Sequence, residues 1–399
     1  MSDTRNATPD RPAPRRTYIG GVVRGTLSRA GARLGFAWIV TLAACAVLAP
    51  ILANTHPLLM KTTGGPISSP FLEHLRPSDV VLLATPLLAV IIFLAFRRWT
   101  IGQRLLLWLG GVILLAPLAL MLARPPLTVV YDEYRELARE GKIAWQIRAP
   151  VPYSPTDRQR DQPEKRLQPP SGQHWLGTNQ NGADVLSRML HASRIALSVG
   201  FISTGIGLTV GILIGALMGY FSRGVDLVGM RVIEIFEAVP QLYLLLAFVA
   251  FFPRNLYIMM AIIGFTSWTG YARFTRAEFL KLRKMDYVHA ATAAGLPLWS
   301  ILFRHMLPNG VAPVLVGASF GVASAILAES FLSFLGLGLV DDPSWGQLLN
   351  QALGAGGGFS WWIALFPGLA IFVTVYAYNL IGESLRDAID PYLARESQL

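Results

Sequence analysis

Long apolar segments alternate with short polar ones along the chain, which is the pattern of a protein that crosses a membrane several times. A helix needs roughly 17 to 25 mainly apolar residues to cross a bilayer. Segments close to that length predict eight transmembrane helices, at residues 34–53, 80–96, 105–123, 198–221, 238–252, 256–271, 311–335 and 361–381. The fifth is short and is expected to begin earlier, near Leu227. The sequence therefore predicts an all-α polytopic membrane protein.

Composition agrees with this class, because 53% of the 399 residues are hydrophobic and only 15% are charged. That balance is too apolar for an ordinary soluble domain. Cys45 is the only cysteine and falls inside the first predicted span, so the sequence offers no disulfide framework, metal-ligand cluster or cysteine nucleophile. We expect no cofactor, no metal and no catalytic residue in this chain.

Basic residues set the expected orientation, since positively charged loops stay on the cytoplasmic side of a membrane. The first 33 residues carry seven arginines, and basic residues also dominate the predicted loops at 97–104 and 273–304. The segment 337–360 holds Asp341 and Asp342 and no lysine or arginine. Both termini are therefore predicted to lie in the cytoplasm. This topology and attraction to anionic lipid headgroups explain the net charge of +10, so no nucleic-acid partner is expected.

The long polar stretch at 124–196 is then predicted to be extracytoplasmic. Residues 131–142 are typical of a short exposed helix that ends near Gly141, and prolines recur in the loop at 149–171. Apolar residues at helical spacing after Asp184 predict an amphipathic elbow helix that runs along the interface into the fourth span. Six glycines follow in that span, from Gly200 to Gly219, and small residues favour close packing between membrane helices.

The segment from Tyr287 to Asn309, with the sequence YVHAATAAGLPLWSILFRHMLPN, is a polar island between apolar runs. Its pattern predicts a short helix, a break at Gly295 and a second piece that ends at Pro308. The segment resembles the EAA loop, the coupling helix by which the membrane subunit of a bacterial ABC importer docks on its ATPase. The residues expected to couple to the ATPase are Asp286, His289, Ala290, Ala291, Gly295, Arg304, Leu307 and Pro308.

Three further segments are similar to the C-type permease of the dipeptide and oligopeptide ABC importers. They are residues 174–198, which resemble H-x-L-G-T-D-x-x-G-x-D-V-L-S-R, residues 330–350, with S-F-L-G-L-G and P-S-W-G, and residues 381–391, with I-G-E, L-R-D and D-P. Residues 51–59 and 175–182 resemble the microcin-C/oligopeptide branch. Two features depart from the family pattern. A hairpin at 80–123 is added to six family spans, and His289 stands where the loop usually has a glutamate.

The resemblance implies a type I ABC importer permease fold, divided into six regions. These are a cytoplasmic basic tail at 1–33, a first transmembrane helix at 34–53, an inserted transmembrane hairpin at 80–123, an extracytoplasmic loop and elbow helix at 124–196, a permease domain at 197–392 with its coupling loop at 273–310, and a cytoplasmic tail at 393–399. It implies a multi-pass protein of the bacterial inner membrane. The sequence has no G-x-x-x-x-G-K-[ST] phosphate loop, so no ATPase activity is expected of this chain.

The same resemblance implies several partners. They are a second permease subunit in a heterodimer, two ATPase subunits or one fused ATPase that bind ATP and Mg²⁺, a periplasmic substrate-binding protein, and membrane lipid. The implied cargo is a short peptide or a peptide-like compound. An importer for another solute, such as a nickel chelate or an oligosaccharide, stays open as an alternative. So does an ion-coupled secondary transporter that uses Glu234, Glu237 or Glu329 as its proton site.

Ionisable residues in or near the predicted spans are candidates for the gate or the pathway, because charged groups are costly in lipid. Arg231, Glu234 and Glu237 share one broad helix face, where they form either part of a cytoplasmic gate or a salt-bridged helix base. Pro240 is expected to kink the fifth span. Glu329 is expected either near the pathway or in a buried polar contact between helices.

Overall fold

The computed structural model describes residues 18–123, 125–126, 129–159, 162–339, 342–353 and 358–389. Parts of five predicted regions lie outside these residues. They are residues 1–17 of the basic tail, residues 124, 127–128 and 160–161 of the loop at 124–196, residues 340–341 and 354–357 of the segment 337–360, residues 390–392 of the permease domain, and the C-terminal tail at 393–399.

The described chain is built from α-helices and one small sheet. The helices are α1 (Tyr18–Ser28), α2 (Ala30–Leu52), α3 (Pro70–Glu73), α4 (Pro77–Ala95), α5 (Ile101–Leu122), α6 (Glu133–Arg139), α7 (Val185–Phe221), α8 (Arg223–Ala238), α9 (Gln241–Phe251), α10 (Leu256–Thr266), α11 (Trp268–Leu282), α12 (Asp286–Ala293), α13 (Leu307–Phe334), α14 (Trp345–Ala352) and α15 (Trp361–Ile389). The strands are β1 (Leu59–Thr62), β2 (Ile67–Ser68) and β3 (Ile143–Ile147). A 3₁₀ turn lies at Pro163–Lys165, and a π-helix at Ser300–Met306 leads directly into α13.

Within the described residues, six helical segments are long and apolar enough to cross a membrane. They are α2, α4, α5, α7, α15 and the continuous unit formed by the π-helix and α13. The pair α8 and α9 is a seventh candidate, bent by 80° at its break. The prediction of eight spans exceeds this number because the segment 256–271 is interrupted, with α10 only 11 residues long.

The interruption between α10 and α11 has a local cause. The Thr266 hydroxyl donates a hydrogen bond to the Ile263 carbonyl, and the Ser267 hydroxyl donates one to the Gly264 carbonyl, both at 3.0 Å. Such side-chain bonds offer the backbone carbonyls an alternative to the helical ladder. The helix therefore ends at Thr266 and restarts at Trp268.

The helix α7 is the centre of the bundle and runs unbroken over 37 residues. Asp184 caps its N-terminus by accepting a hydrogen bond from the Ser187 amide at 2.8 Å. The predicted elbow helix is the first part of α7 and not a separate element. The glycines of α7 admit α11 at backbone distance, since a Cβ on Gly215 would lie 2.4 Å from the Ala272 carbonyl oxygen. Small residues allow this approach between membrane helices.

The helices α4 and α5 form the predicted inserted hairpin. Only 6% of the most apolar stretch of each helix is buried within the protein, so most of the hairpin surface is available to lipid. Trp108 of α5 donates a hydrogen bond to the Thr85 carbonyl of α4 at 3.1 Å. Asp79, near the start of α4, pairs with Arg194 of α7. This ion pair fastens the hairpin to the bundle at one end.

The polar segments before and after the hairpin form one unit. Its antiparallel sheet has the order β2-β1-β3, so strands from both sides of the hairpin pair with each other. The Thr55 hydroxyl donates to the Asp157 carboxylate at 2.9 Å, and Arg135 pairs with the same carboxylate. The helix α6 lies inside the predicted helix at 131–142. The sheet itself was not predicted, because strands of two to five residues are too short to show a clear alternation.

Part of the predicted N-terminal tail is helical. The helix α1 packs against α15, and Arg29, which follows α1, pairs with Asp387 near the end of α15. The two ends of the described chain therefore lie together, in agreement with the prediction that both termini are on one side of the membrane.

Candidate functional site

The short helix α12 stands between α11 and the π-helix and has two distinct faces. Val288 and Ala291 point inward and are only 2% and 7% exposed, packed in one cluster with Phe279, Leu282, Ile301, Leu302 and Met306. His289, Ala290 and Thr292 are exposed. Because residues three and four apart share a helix face, the inner residues fix α12 to the bundle while His289, Ala290 and Thr292 lie on its outer surface. The short helix predicted here is therefore present, with its outer face exposed. Its coupling to an ATPase stays a prediction.

Gly295 ends this helix as the sequence predicts. Its φ is +71°, in the left-handed region that side chains with a Cβ adopt at a cost. The Gly295 amide donates to the Thr292 carbonyl at 3.0 Å, and the Leu296 amide donates to the Ala291 carbonyl at 3.2 Å. These bonds form a Schellman-type end. A Cβ at Gly295 would meet no atom within 4 Å, so the position requires glycine for its backbone conformation and not for space.

Pro308 does not end the following segment, and the prediction that it would is wrong. The backbone continues from the π-helix into α13, with Pro308 in the first turn of α13. The Leu307 amide bonds to the Leu302 carbonyl, five residues earlier. This wider turn lies directly before the proline and relieves the clash that its ring would make in a regular α-helix. Arg304 is exposed in the π-helix, whereas Leu307 packs against the cluster beneath α12.

The structure separates the candidate gate residues into two ion pairs. Arg231 pairs with Glu234 on the same helix, and both side chains are exposed. Glu237 pairs instead with Arg273 of α11. Of the two predicted arrangements, these contacts form the salt-bridged helix base, which here is the base of α8. A role in a gate stays a prediction.

Pro240 lies at the break between α8 and α9, where the chain turns by 80°. Val239 before it has an extended backbone, with φ −95° and ψ 122°. Proline lacks an amide hydrogen and disfavours a helical conformation in the residue before it. The kink predicted at Pro240 is therefore present as a complete break in the helix.

Glu329 of α13 is 1% exposed. The Ser333 hydroxyl donates to its carboxyl group at 2.7 Å, and the Ser330 hydroxyl lies 3.4 Å from the other carboxyl oxygen. Ser344, just before α14, also hydrogen-bonds to the side chain of Glu329. Of the two predicted roles, these contacts support the buried polar contact between helices, because the carboxyl group has no open approach.

Sequence reasoning missed the cross-helix contacts of three arginines near the coupling segment. Arg276 of α11 holds both oxygens of Asp226 in α8, and Arg283 donates to the Tyr220 carbonyl at 3.2 Å. Their basic character had indicated only a cytoplasmic loop. The sequence signal for these cross-helix contacts was the placement of Arg273, Arg276 and Arg283 on one helix face.

Taken together, the apolar helices and the projecting helix α12 define a polytopic α-helical membrane protein. Residues 211–395 match the family described as the binding-protein-dependent transport system inner membrane component. This match includes α8, α11, α12 and α13.

Curated relatives extend the match beyond these residues. The chain is 36% identical over 230 residues to the dipeptide transport system permease protein DppC of Alkalihalophilus pseudofirmus, covering 57% of this chain and 75% of that protein. It is 38% identical over 225 residues to the glutathione transport system permease protein GsiD of Pectobacterium atrosepticum, covering 56% and 74%. It is 37% identical over 258 residues to the inner membrane ABC transporter permease protein YejE of Escherichia coli, covering 64% and 74%.

The chain therefore belongs to the family of binding-protein-dependent transport system inner membrane components. It is an inner-membrane permease with an α-helical, polytopic fold. The predicted family is confirmed.

Proposed function

We propose that this permease is one half of the translocation pore of an ATP-driven importer for short peptides or peptide-like compounds. The observation that carries this proposal is the outer face of α12, where His289, Ala290 and Thr292 are exposed above a buried apolar cluster. The substrate class is supported by the named relatives, which are permeases for dipeptides and for glutathione.

The proposed partners are those that such a pore needs. A second permease subunit completes the pore as a heterodimer, and the exposed apolar residues of α8 and α9, among them Val228, Ile235 and Tyr243, provide surface for it. Two ATPase subunits, or one fused ATPase, bind ATP with Mg²⁺ and receive α12 in a groove. A periplasmic substrate-binding protein delivers the cargo to the extracytoplasmic unit. Membrane lipid covers the α4–α5 hairpin.

Energy reaches the pore through α12. Binding of ATP draws the two ATPase subunits together, and their movement displaces α12. The buried contacts of Val288 and Ala291 make α12 and the adjoining end of α11 move together. The bundle then alternates between conformations that are open to one side of the membrane or the other. Binding of a ligand shifts such an equilibrium only by its differential affinity for the two conformations.

The assignment to the microcin-C/oligopeptide branch is a finer part of the proposal. It is supported by the sequence at 51–59 and 175–182. Competition between a labelled tripeptide and a longer peptide-nucleotide conjugate tests it, because only a pore of this branch is expected to carry both.

The test of the proposed function is transport by the whole complex in proteoliposomes. The chain is reconstituted with the second permease, the ATPase and the binding protein of its transport system, and uptake of a labelled tripeptide is measured with and without ATP. Uptake that depends on ATP and survives an uncoupler is expected. Uptake by the purified chain alone, without ATP and abolished by an uncoupler, contradicts the proposal and identifies an ion-coupled transporter.

A further inference from the structure

Three arginines form a row along α11 and the turn that follows it. Arg273, Arg276 and Arg283 are spaced at i, i+3 and i+10, which places them on one side of a helix with 3.6 residues per turn. Each reaches a different point of the α7–α8 hairpin. Arg273 pairs with Glu237, Arg276 holds both oxygens of Asp226, and Arg283 donates to the Tyr220 carbonyl. We call these three residues the arginine row.

Apolar contacts strengthen the attachment of α8 to α11. Ile233 of α8 is fully buried and packs in one cluster with Met218, Trp268 and Ala272. The ring of Phe236 meets the ring of Trp268 edge to face, with centroids 5.5 Å apart. Aromatic pairs in this geometry are favourable. Ionic contacts near both ends of α8, with apolar contacts between them, therefore hold it against α7 and α11.

The attachment of α8 stops at the Val239–Pro240 break. Beyond it, α9 packs against α10 in a separate cluster, in which Leu245 and Val249 contact the α10 side chains. The 80° turn has no continuous helical ladder to resist a change of angle, because Pro240 has no amide hydrogen. Hinges are commonly a few residues at the ends of rigid elements.

The arginine row also leads directly to the coupling helix. Arg283 is the first residue after α11, and α12 begins at Asp286. Phe279 and Leu282 of α11 share a buried cluster with Val288 and Ala291 of α12. A displacement of α12 therefore displaces the end of α11 next to Arg283, and α11 as a continuous helix carries Arg273 and Arg276 with it.

We propose that the arginine row makes α8 follow the coupling helix, with Val239–Pro240 as the hinge at which α8 changes its angle to α9. The inference rests on the proposed function, since it requires an ATPase that moves α12. Arg273, Arg276 and Arg283 are positioning residues in this scheme and need not touch the cargo. The Arg276–Asp226 pair is the principal contact, because its two parallel hydrogen bonds fix geometry as well as distance.

The test compares transport with ATP hydrolysis in the reconstituted complex. Arg276→Gln and Asp226→Asn each remove the two-bond contact between α11 and α8. Arg273→Gln independently removes the ion pair with Glu237. Lys281→Gln is the matched control, because Lys281 is an exposed cation of the same helix and makes no ion pair with the described residues. Thermal unfolding of each variant complex confirms that it is assembled.

We expect the row variants to keep hydrolysing ATP while the amount of tripeptide imported per ATP falls about fivefold or more. A fivefold change is at the lower end of the effects that typical coupling between two sites produces. The control is expected to keep the wild-type ratio. The exchange Asp226→Arg with Arg276→Asp is expected to restore part of the ratio. A purely stabilising contact would instead lower hydrolysis and transport together.

A spectroscopic measurement follows the hinge directly. Spin labels are placed at two exposed polar positions, Arg223 at the start of α8 and Arg254 just after α9, in a Cys45→Ser background, which removes the only native cysteine. Addition of ATP is expected to change the distance between the labels in the otherwise unaltered chain, and Arg276→Gln is expected to abolish that change. An unaltered import ratio in Arg276→Gln and Asp226→Asn, or an equal loss in Lys281→Gln, overturns the inference. Absence of ATP-dependent import in the wild-type complex overturns the proposed function instead.

Discussion

Arg194 of α7 donates a hydrogen bond from Nε to the carbonyl oxygen of Ala46 in α2, at 2.5 Å. In a regular helix the carbonyl of Ala46 would accept a hydrogen bond from the amide of the residue four positions later. Here that residue is Pro50, which has no amide hydrogen. The same guanidinium pairs with Asp79 of the inserted hairpin. Arg194 therefore satisfies the carbonyl left free by Pro50 and joins α2, α4 and α7 at one point.

Replacement of Arg194 by methionine tests this joint. We expect Arg194→Met to lower the free energy of unfolding by about 1 to 3 kcal/mol, because it leaves a buried carbonyl and a carboxylate without their donor. The loss should be smaller when Pro50 is also replaced by alanine, since the new amide at position 50 can pair with the Ala46 carbonyl. Denaturant unfolding in detergent measures both values. An equal loss in the two backgrounds would show that the Ala46 contact contributes nothing.

Gly295 offers a test of the coupling helix that is independent of the ion pairs. Gly295→Ala is expected to cost about 1 kcal/mol at the end of α12, because alanine in the left-handed region is strained. The orientation of the outer face of α12 should change as the strain relaxes. We therefore expect tripeptide import per ATP to fall while the fold persists.

Gly270→Ala is the control for Gly295→Ala. Gly270 lies inside α11, and a Cβ there would meet no atom within 4 Å, so alanine is expected to leave import unchanged or to stabilise the helix slightly. Equal import by the two variants would remove the special role of the Gly295 conformation.

The coupling segment could be predicted in part because its signals are local. Glycine is required at position 295 by the positive φ of that residue alone. The rule that a glycine follows the end of a helix therefore predicts it from the local sequence. Pro308 misled because its effect depends on the wider π turn just before it, which has no sequence signature of its own. The attachment of Arg276 to Asp226 spans 50 residues, and charge type alone does not choose among distant partners. The sheet joins β1 to β3 across the inserted hairpin, a pairing that no local pattern reports.

Glu329 should respond to substitution as a structural residue. Its carboxyl group is buried and hydrogen-bonded by serines on α13 and before α14. Glu329→Leu removes the acceptor and leaves buried hydroxyl groups unpaired, so we expect a loss of about 1 to 3 kcal/mol. Glu329→Gln keeps an acceptor oxygen and is expected to cost less. Thermal unfolding measures the difference. If the Glu329→Gln variant also imports tripeptide with an unaltered dependence on ATP, Glu329 is not an obligatory proton site.

The polar unit that contains the sheet β2-β1-β3 is expected to lose stability in acid because of one histidine. His56 is 4% exposed, its Nδ1 has no hydrogen-bond partner, and its ring stacks on His74 with centroids 3.8 Å apart. Burial, together with the neighbouring His74 and Arg135, lowers the pKa of His56 from 6.5 to about 4. Tyr134 meets the ring of His56 edge to face, with centroids 5.5 Å apart.

The sign of the pH effect follows from that lowered pKa of His56. As the pH falls below 6.5 the unfolded chain binds a proton on this ring, whereas the folded chain does so only near pH 4. The stability that neutral His56 contributes is therefore complete above pH 6.5 and is lost between pH 6.5 and 4, by an amount on the order of 2 to 3 kcal/mol. We expect His56→Phe, which preserves a stacking ring, to flatten the fall of the melting temperature across this range. His289→Gln, a change at an exposed histidine, should keep the wild-type slope, and an equally steep fall in His56→Phe would assign the acid sensitivity to other groups.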